Sequence, residues 1–177
     1  MRRLILDLLR KGGFRLYARH GEATLGEDQP YLNFDSCFTQ RNLSDRGRRQ
    51  ALYYGAALRN LQIPISYPIV ASPFCRTKET AQLAFGSTNV QMDPFWIEIY
   101  KLNRNLSNIE QKRILDSLRT VLEIKPPYGS NQVIIAHSFP KGIGLGQIPH
   151  MGTVIVWPKG QGKGYEIFDK LSLSDWG

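Results

Sequence analysis

The chain has 177 residues, of which 42% are hydrophobic, and its 23 Lys and Arg against 15 Asp and Glu give a net charge of +8. This length predicts one domain over residues 1–177, and the hydrophobic content suffices for a core without a metal or disulfide, which excludes a disordered chain. The positive charge indicates an anionic partner, because a phosphorylated substrate, a nucleic acid and an acidic membrane would each be attracted to it.

Neither the N-terminal segment nor the cysteines indicate export or a membrane anchor. Residues 1–13 are interrupted by Asp7 and Arg10 and lack a small-residue cleavage site, so we interpret them as a short amphipathic helix and not as a signal peptide. No apolar run approaches the roughly 18 residues of a membrane-spanning helix. Cys37 and Cys75 do not form a disulfide framework, so we expect a reducing compartment, a cytoplasmic location and no membrane partner.

Strands and helices alternate along the first half of the chain. Residues 14–18 are typical of a short strand, and residues 21–43, with Gly, Asp, Pro and Asn throughout, of an irregular loop. A capping serine and helical spacing predict a helix over residues 44–60. A buried strand over 67–71 precedes a second helix over 72–85, which begins with a Ser-Pro start signal and ends before a glycine.

The second half continues this alternation. Residues 89–92 are typical of a brief strand, and a Ser-x-x-Glu capping box at 107–110 starts a helix that two prolines end. Residues 132–136 give the clearest strand of the chain. Two further strands are predicted over 153–157 and 165–168.

This order of elements predicts an α/β fold, a three-layer α/β/α sandwich with a mainly parallel central sheet. Ligands of such sheets bind beyond the carboxyl ends of the strands. The polar residues just past the three clearest strands are Arg19 and His20, then Ser72 and Arg76, and finally His137. Two histidines and two arginines are therefore expected to meet at one edge of the sheet.

Such a set of side chains suits a phosphate dianion. An arginine presents a planar fork of donors that matches phosphate oxygens and stays charged. A neutral histidine has a lone-pair nitrogen that can attack phosphorus and form a phosphohistidine. The remaining positive groups would stabilise charge on the phosphoryl oxygens during transfer.

Four segments, in order along the chain, carry a resemblance to a known family. They are residues 17–22 (YARHGE), 43–51 (LSDRGRRQA), 71–81 (ASPFCRTKETA) and 133–137 (VIIAH). Together they resemble the histidine phosphatase superfamily, the phosphoglycerate mutase-like proteins. An Arg-His-Gly tripeptide alone would be weak evidence, but four motifs at the predicted strand and helix ends are strong evidence. The resemblance covers roughly residues 14–140 and implies the phosphoglycerate mutase-like sandwich.

The resemblance also implies a role for each matching residue. His20 would be the phosphorylated nucleophile, with Arg19 and Arg76 binding the phosphoryl group and His137 as the second histidine of the pocket. Glu98 lies in the segment that resembles the one carrying the family's proton donor. A carboxyl group with a raised pKa is the right chemical type for protonating a leaving alcohol.

Two departures from the family pattern favour a phosphatase over a mutase. Residues 138–146 (SFPKGIGLG) are too rich in Gly and Pro for the helix that usually follows the second histidine, and the chain is shorter than typical mutases. We therefore expect a metal-independent phosphatase that hydrolyses phosphomonoesters or phosphohistidine through His20, without a cofactor. A mutase-type phosphotransferase and a non-catalytic phosphate-binding module remain alternatives, and a basic nucleic-acid-binding domain is a more distant one.

Other readings of single residues have less support. A cysteine phosphatase needs an arginine six positions after its cysteine, where this chain has Leu43 and Ala81. The scattered histidines lack metal-ligand spacing, so no catalytic metal is expected, and no nucleic-acid-binding signature occurs. The expected partner is thus a phosphorylated small molecule or phosphoprotein, and the sequence is silent on oligomeric state. Four further polar residues are interpreted as local or incidental: Glu22, Gln40, Arg41 and His150.

Overall fold

A six-stranded sheet forms the centre of the computed structural model, which describes residues 3–177. The strands lie in the order β3-β2-β4-β1-β5-β6. They are β1 (Arg15–Arg19), β2 (Ile65–Ala71), β3 (Val90–Met92), β4 (Asn131–Ala136), β5 (Thr153–Pro158) and β6 (Tyr165–Leu171). The pairs β1–β4, β2–β4 and β2–β3 are parallel, whereas β5 pairs antiparallel with β1 and β6 pairs antiparallel with β5. The mainly parallel sheet predicted from the sequence is confirmed.

Helices cover both faces of this sheet. They are α1 (Arg3–Lys11), α2 (Asp45–Asn60), α3 (Cys75–Phe85), α4 (Phe95–Lys101) and α5 (Asn108–Leu122). Side chains of α1, α2 and α3 pack with Leu16 and Ala18 of β1 in one core, and those of α4 and α5 pack with Tyr17 in the other. This alternation of neighbours in β1 to opposite faces produces the three-layer sandwich. Among the described residues, no helix is long and apolar enough to cross a membrane.

The helix starts read from the sequence are correct for α2 and α5 and wrong for α3. Ser44 accepts the Gly47 N–H at 3.0 Å at the start of α2, and Ser107 forms the expected capping box with Glu110. Ser72, in contrast, caps nothing, because α3 begins three residues later, after Phe74. The hydroxyl predicted to cap α3 is thereby left for another partner at the sheet edge.

One helix has no counterpart in the prediction. α4 begins after Pro94 and has only seven residues. A pattern of two turns is too short for helical periodicity to distinguish it from a strand or a loop. As a result Glu98, predicted as a proton donor, lies in the middle of a short surface helix.

The expectation drawn from the cysteines is wrong. Cys37 and Cys75 form a disulfide across a sequence separation of 38 residues. The bond joins the long loop of residues 21–44 to the first turn of α3, directly before Arg76. Disulfides persist mainly in oxidising environments, so the inference of a reducing compartment loses its basis.

Candidate active site

The carboxyl ends of β1, β4 and β2 bring the four predicted site residues together. Arg19 is the last residue of β1, and His20 and His137 directly follow β1 and β4. The centroids of the two imidazole rings are 5.8 Å apart, and the Arg76 Nε lies 3.3 Å from the His20 Nε2. Adjacent parallel strands end at one edge, so residues more than a hundred positions apart become neighbours.

His20 is held in one tautomer. Its Nδ1 lies 2.7 Å from the Gly21 carbonyl oxygen. A carbonyl oxygen only accepts, so Nδ1 carries the proton and donates it, and Nε2 keeps its lone pair. The Arg76 Nε–H donates to that Nε2. The unprotonated nitrogen of His20 is therefore directed at a guanidinium, where a phosphoryl group would find positive charge.

His137 is fixed through both its backbone and its ring. The Tyr17 hydroxyl donates to the His137 carbonyl at 2.8 Å and accepts the His137 N–H at 3.2 Å. The ring Nε2 lies 2.9 Å from the Ser72 Oγ, and the ring packs edge-on against Phe74 with 4.7 Å between centroids. Ser72 is thus an orienting partner of the second histidine and not a helix cap.

The electrostatic surroundings keep both imidazoles neutral. Burial, followed by the positive charge of Arg76, lowers the pKa of His20 well below its ordinary value, and the charge of Arg19 acts in the same direction. Burial and the same two arginines lower the pKa of His137 likewise. A neutral His20 is the form with a lone pair available for attack.

Arg19 contributes a second guanidinium with donors to spare. Its Nη1 donates to the Ile148 carbonyl at 3.0 Å, and its Nε is buried without a hydrogen-bond partner among the described residues. Burial, then the charges of Arg41 and Arg76, lowers the pKa of Arg19. The repulsion between these positive charges is relieved when an anion binds beside them, so Arg19 and Arg76 are suited to binding one.

The glycines of the motifs allow the backbone to come close to itself. A Cβ on Gly21 would lie 2.6 Å from the Gly47 carbonyl oxygen, and a Cβ on Gly47 would lie 2.1 Å from the Glu22 carbonyl oxygen. The start of α2 therefore packs backbone against backbone behind His20. Glu22 itself accepts the Ser44 hydroxyl at 2.9 Å, in agreement with its interpretation as a local structural contact.

Three polar loop residues lie beside Arg76: Asp28, for which no role is predicted from the sequence, and Gln40 and Arg41, which are interpreted from it as local or incidental. The Asp28 carboxylate pairs with its guanidinium at 2.9 Å, and the Arg41 carbonyl accepts from its Nη1 at 3.1 Å. Gln40 is buried, and its side-chain oxygen accepts the Cys75 N–H at 2.7 Å. No sequence signal distinguishes these residues from solvated loop positions, because each contact spans more than thirty residues.

The structure places Glu98 away from the site histidines and His150 close to them, the reverse of what the sequence predicts. Glu98 forms ion pairs with Lys101 at 2.9 Å and Arg113 at 3.4 Å, and none of its contacts reaches a histidine. The ring of His150, interpreted as incidental, lies 6.1 Å from the ring of His20. Burial, followed by the charge of Arg19, lowers its pKa. The available signal was topological: His150 comes just before β5, the neighbour of β1.

No group of three His, Cys, Asp or Glu side chains with the arrangement of metal ligands occurs in residues 3–177. The constellation consists of imidazoles and guanidiniums. It can bind a tetrahedral dianion, offer one nitrogen lone pair to it and hold positive charge beside it.

Comparisons with known proteins agree with this geometry. The family model described as histidine phosphatase superfamily (branch 1) matches residues 16–104. No curated protein matches the chain.

Solved structures share the fold at low sequence identity. Alpha-ribazole phosphatase from Shigella flexneri aligns with a TM-score of 0.57 and 15% identity, covering 90% of this chain and 96% of that one. A phosphoserine phosphatase variant from Entamoeba histolytica, in complex with phosphoserine, aligns with 0.56 and 17%, covering 90% and 97%. The protein histidine phosphatase SixA, complexed with tungstate, aligns with 0.54 and 12%, covering 93% and 99%.

Proposed function

The chain belongs to branch 1 of the histidine phosphatase superfamily, and on that basis we propose that it is a metal-independent phosphatase that uses His20 as its nucleophile. The substrate is a phosphomonoester or a phosphohistidine. One structural neighbour is a phosphoserine phosphatase in complex with phosphoserine, and another, SixA, is named as a protein histidine phosphatase. Both support this substrate class.

One observation carries the proposal. The Nε2 of His20 is unprotonated, buried and 3.3 Å from the Arg76 Nε. A surface histidine, or a core histidine whose ring nitrogens bond only to neutral groups, would have no such arrangement. An aimed lone pair beside preorganised positive charge is what nucleophilic attack on a phosphate requires.

The reaction then has two steps. In the first, the His20 Nε2 forms a bond to phosphorus while the bond from phosphorus to the ester oxygen breaks, and that oxygen takes a proton. In the second, water attacks phosphorus and returns a proton to the deprotonated donor, the phosphorus–nitrogen bond breaks, inorganic phosphate leaves, and His20 is again neutral. Arg19 and Arg76 bind the phosphoryl oxygens in both steps, and His137 donates from the other side.

Two residues are candidates for the proton donor. Glu98 is the residue that the family resemblance implies, but its carboxylate is engaged by Lys101 and Arg113. His150 is the candidate that proximity favours, because its ring is 6.1 Å from that of His20. A bound phosphate dianion would raise the pKa of a nearby imidazole and so increase the fraction that is protonated and able to act as a general acid.

The variants Glu98→Gln and His150→Gln separate these candidates. With phenyl phosphate, whose leaving oxygen needs a proton, loss of the true donor lowers kcat by roughly 100-fold. With 4-nitrophenyl phosphate, whose leaving group departs readily as an anion, the kcat of the same variant falls much less. A variant that falls equally with both substrates is not the donor.

The phosphatase assignment itself is tested with 4-nitrophenyl phosphate in excess chelator. Wild type is expected to release phosphate and His20→Ala to lose at least roughly 1,000-fold of that rate. Arg49→Ala, an exposed change on α2, is the matched control and keeps full activity. Equal release by wild type and His20→Ala contradicts the proposal, and tight phosphate binding without turnover would instead indicate a binding module.

A further inference from the structure

The buried ion pair between Asp28 and Arg76 is the feature of the site that the proposed reaction does not use. The Asp28 side chain is only 5% exposed, and its two oxygens accept from the Arg76 Nη1 and Nη2 at 2.9 and 3.1 Å. It also accepts the Arg41 N–H at 2.8 Å. Burying a carboxylate is costly unless it is fully paired, so this arrangement calls for a reason.

The reason lies in how the five N–H groups of a guanidinium are shared. Asp28 occupies the end of the Arg76 fork, and the Arg41 carbonyl takes the second hydrogen of Nη1 at 3.1 Å. The side edge of the fork, formed by Nε and the remaining Nη2 hydrogen, faces the other way. Its Nε–H is directed at the His20 Nε2. Arg76 can therefore offer two donors to a phosphoryl group on His20 without releasing Asp28.

Two aromatic rings lie close to the guanidinium as well. Its central carbon lies 4.5 Å from the centroid of the Phe74 ring and 5.8 Å from that of Tyr100. A cation–π contact attracts the guanidinium to a ring face but permits it to rotate, because a ring face has no preferred in-plane direction. The bidentate bond to Asp28 removes that rotation.

We propose that Asp28 is a positioning residue, which holds the end of the Arg76 fork so that the side edge of the same guanidinium faces a phosphoryl group on His20. The inference rests on the proposed function and adds to it a residue from the 21–44 loop. Asp28 acts through Arg76 and does not touch the reacting atoms.

The alternative role, a proton donor, fits the surroundings less well. Burial alone would raise the pKa of Asp28, but the hydrogen bonds from Arg76 and from the Arg41 N–H outweigh burial and lower it. The carboxyl group is therefore ionised in the pair, with no proton to give. A carboxylate held in a bidentate ion pair is also not oriented toward a leaving oxygen.

The variant Asp28→Asn tests the proposal against this alternative. It keeps the shape of the side chain but removes its charge and one acceptor, while Asp35→Asn changes an exposed aspartate of the same loop as the matched control. We expect kcat/KM of Asp28→Asn to fall by roughly 10- to 100-fold. The fall should be equal for 4-nitrophenyl and phenyl phosphate, and Asp35→Asn should not change.

Three results would overturn the proposal. A fall with phenyl phosphate alone would identify Asp28 as the donor. An unchanged kcat/KM per folded molecule would leave the ion pair a structural feature only. An effect of Asp28→Asn that persists in full in an Arg76→Lys background would mean that Asp28 does not act through Arg76.

Calorimetric titration with inorganic phosphate keeps the test independent of turnover. Asp28→Asn is expected to weaken phosphate binding by roughly 10-fold, even if wild type hydrolyses neither ester and the proposed activity fails. If Asp28→Asn does not fold, Arg76→Lys carries the test, since a lysine can pair with Asp28 but has no second edge for phosphate. Unchanged phosphate affinity in Arg76→Lys would contradict the inference.

Discussion

Two regions meet at the candidate active site, and they are built in different ways. The strand-end floor consists of Arg19, His20, Ser72 and His137, and sheet hydrogen bonds fix it, such as that from the His20 N–H to the Ala136 carbonyl at 3.1 Å. The loop of residues 21–44 lies over this floor and has almost no regular structure.

The loop is attached at a few points to the first turn of α3, which lies beside the floor. Three of its large apolar side chains are almost fully exposed: Leu25, Tyr31 and Phe38. Its anchors include the disulfide to Cys75, the hydrogen bond that Gln40 accepts from the Cys75 N–H, and the contacts of Asp28 and Arg41 with Arg76. Many local hydrogen bonds thus determine the position of His20, whereas a few contacts between residues distant in sequence determine the orientation of Arg76.

Removing the disulfide should release the loop from α3, and its effect on stability should be the largest of the three changes described here. Opening a loop of this length costs about 2–4 kcal/mol of unfolding free energy. The double variant Cys37→Ser, Cys75→Ser should therefore melt earlier than wild type and show a raised KM, since the loop that carries Asp28 is released. Thermal unfolding with and without a thiol reductant measures this.

The double variant also provides the control for the reductant. Reductant should lower the melting temperature of wild type to that of the variant and leave the variant itself unchanged. Identical melting curves of wild type in both conditions would contradict the anchoring role of the disulfide.

A smaller effect is expected when the floor itself is loosened. Tyr17→Phe leaves the buried N–H and carbonyl of His137 without their partner, at a cost of about 1–3 kcal/mol. Tyr54→Phe removes a buried hydroxyl that contacts Thr153 on the other face of the sheet and serves as the control. Urea unfolding and kcat/KM are measured for both variants.

The two tyrosine variants should differ in activity more than in stability. Both are expected to unfold at lower urea, but only Tyr17→Phe should lower kcat/KM, because only its hydroxyl holds a site histidine. The floor would not be the sensitive region if Tyr54→Phe lowered activity as strongly.

The smallest effect concerns pH. The pKa values of His20 and His137 are lowered in the folded protein, so below about pH 6.5 the unfolded chain binds protons that the folded protein does not. Stability should therefore fall as the pH decreases from about 6.5, by up to about 1.4 kcal/mol per pH unit for each histidine.

Urea unfolding between pH 7 and pH 5.5 measures this slope. The variants His20→Gln and His137→Gln should each reduce it, whereas Arg49→Ala should not. A slope unaffected by either histidine variant would mean that the two imidazoles are not held neutral in the folded protein.

The same contrast explains what the sequence could predict. The floor was predictable because strand ends follow from local apolar runs, and parallel pairing then places Arg19, His20 and His137 at one edge. The helix caps Ser44 and Ser107 were predictable for the same reason, since capping is local.

The loop contacts could not be predicted in this way. Asp28, Gln40 and the disulfide depend on distances that close only in the folded chain, and a polar loop residue looks the same whether it is buried or solvated. The prediction that Ser72 caps a helix is wrong, although a serine before a proline is a good cap signal. Its hydrogen bond to the His137 ring depends on where the fold places His137. Glu98 lies in a helix too short to show periodicity.

The central claim is that phosphate is transferred to the Nε2 of His20. We expect a rapid alkaline quench of wild type during turnover of 4-nitrophenyl phosphate, followed by peptide mass spectrometry, to find one phosphoryl group on His20 and none on His137 or His150. His20→Ala should carry no phosphoryl group under the same conditions. Turnover by wild type with His20 unmodified, or a phosphoryl group on a different residue, would contradict the account.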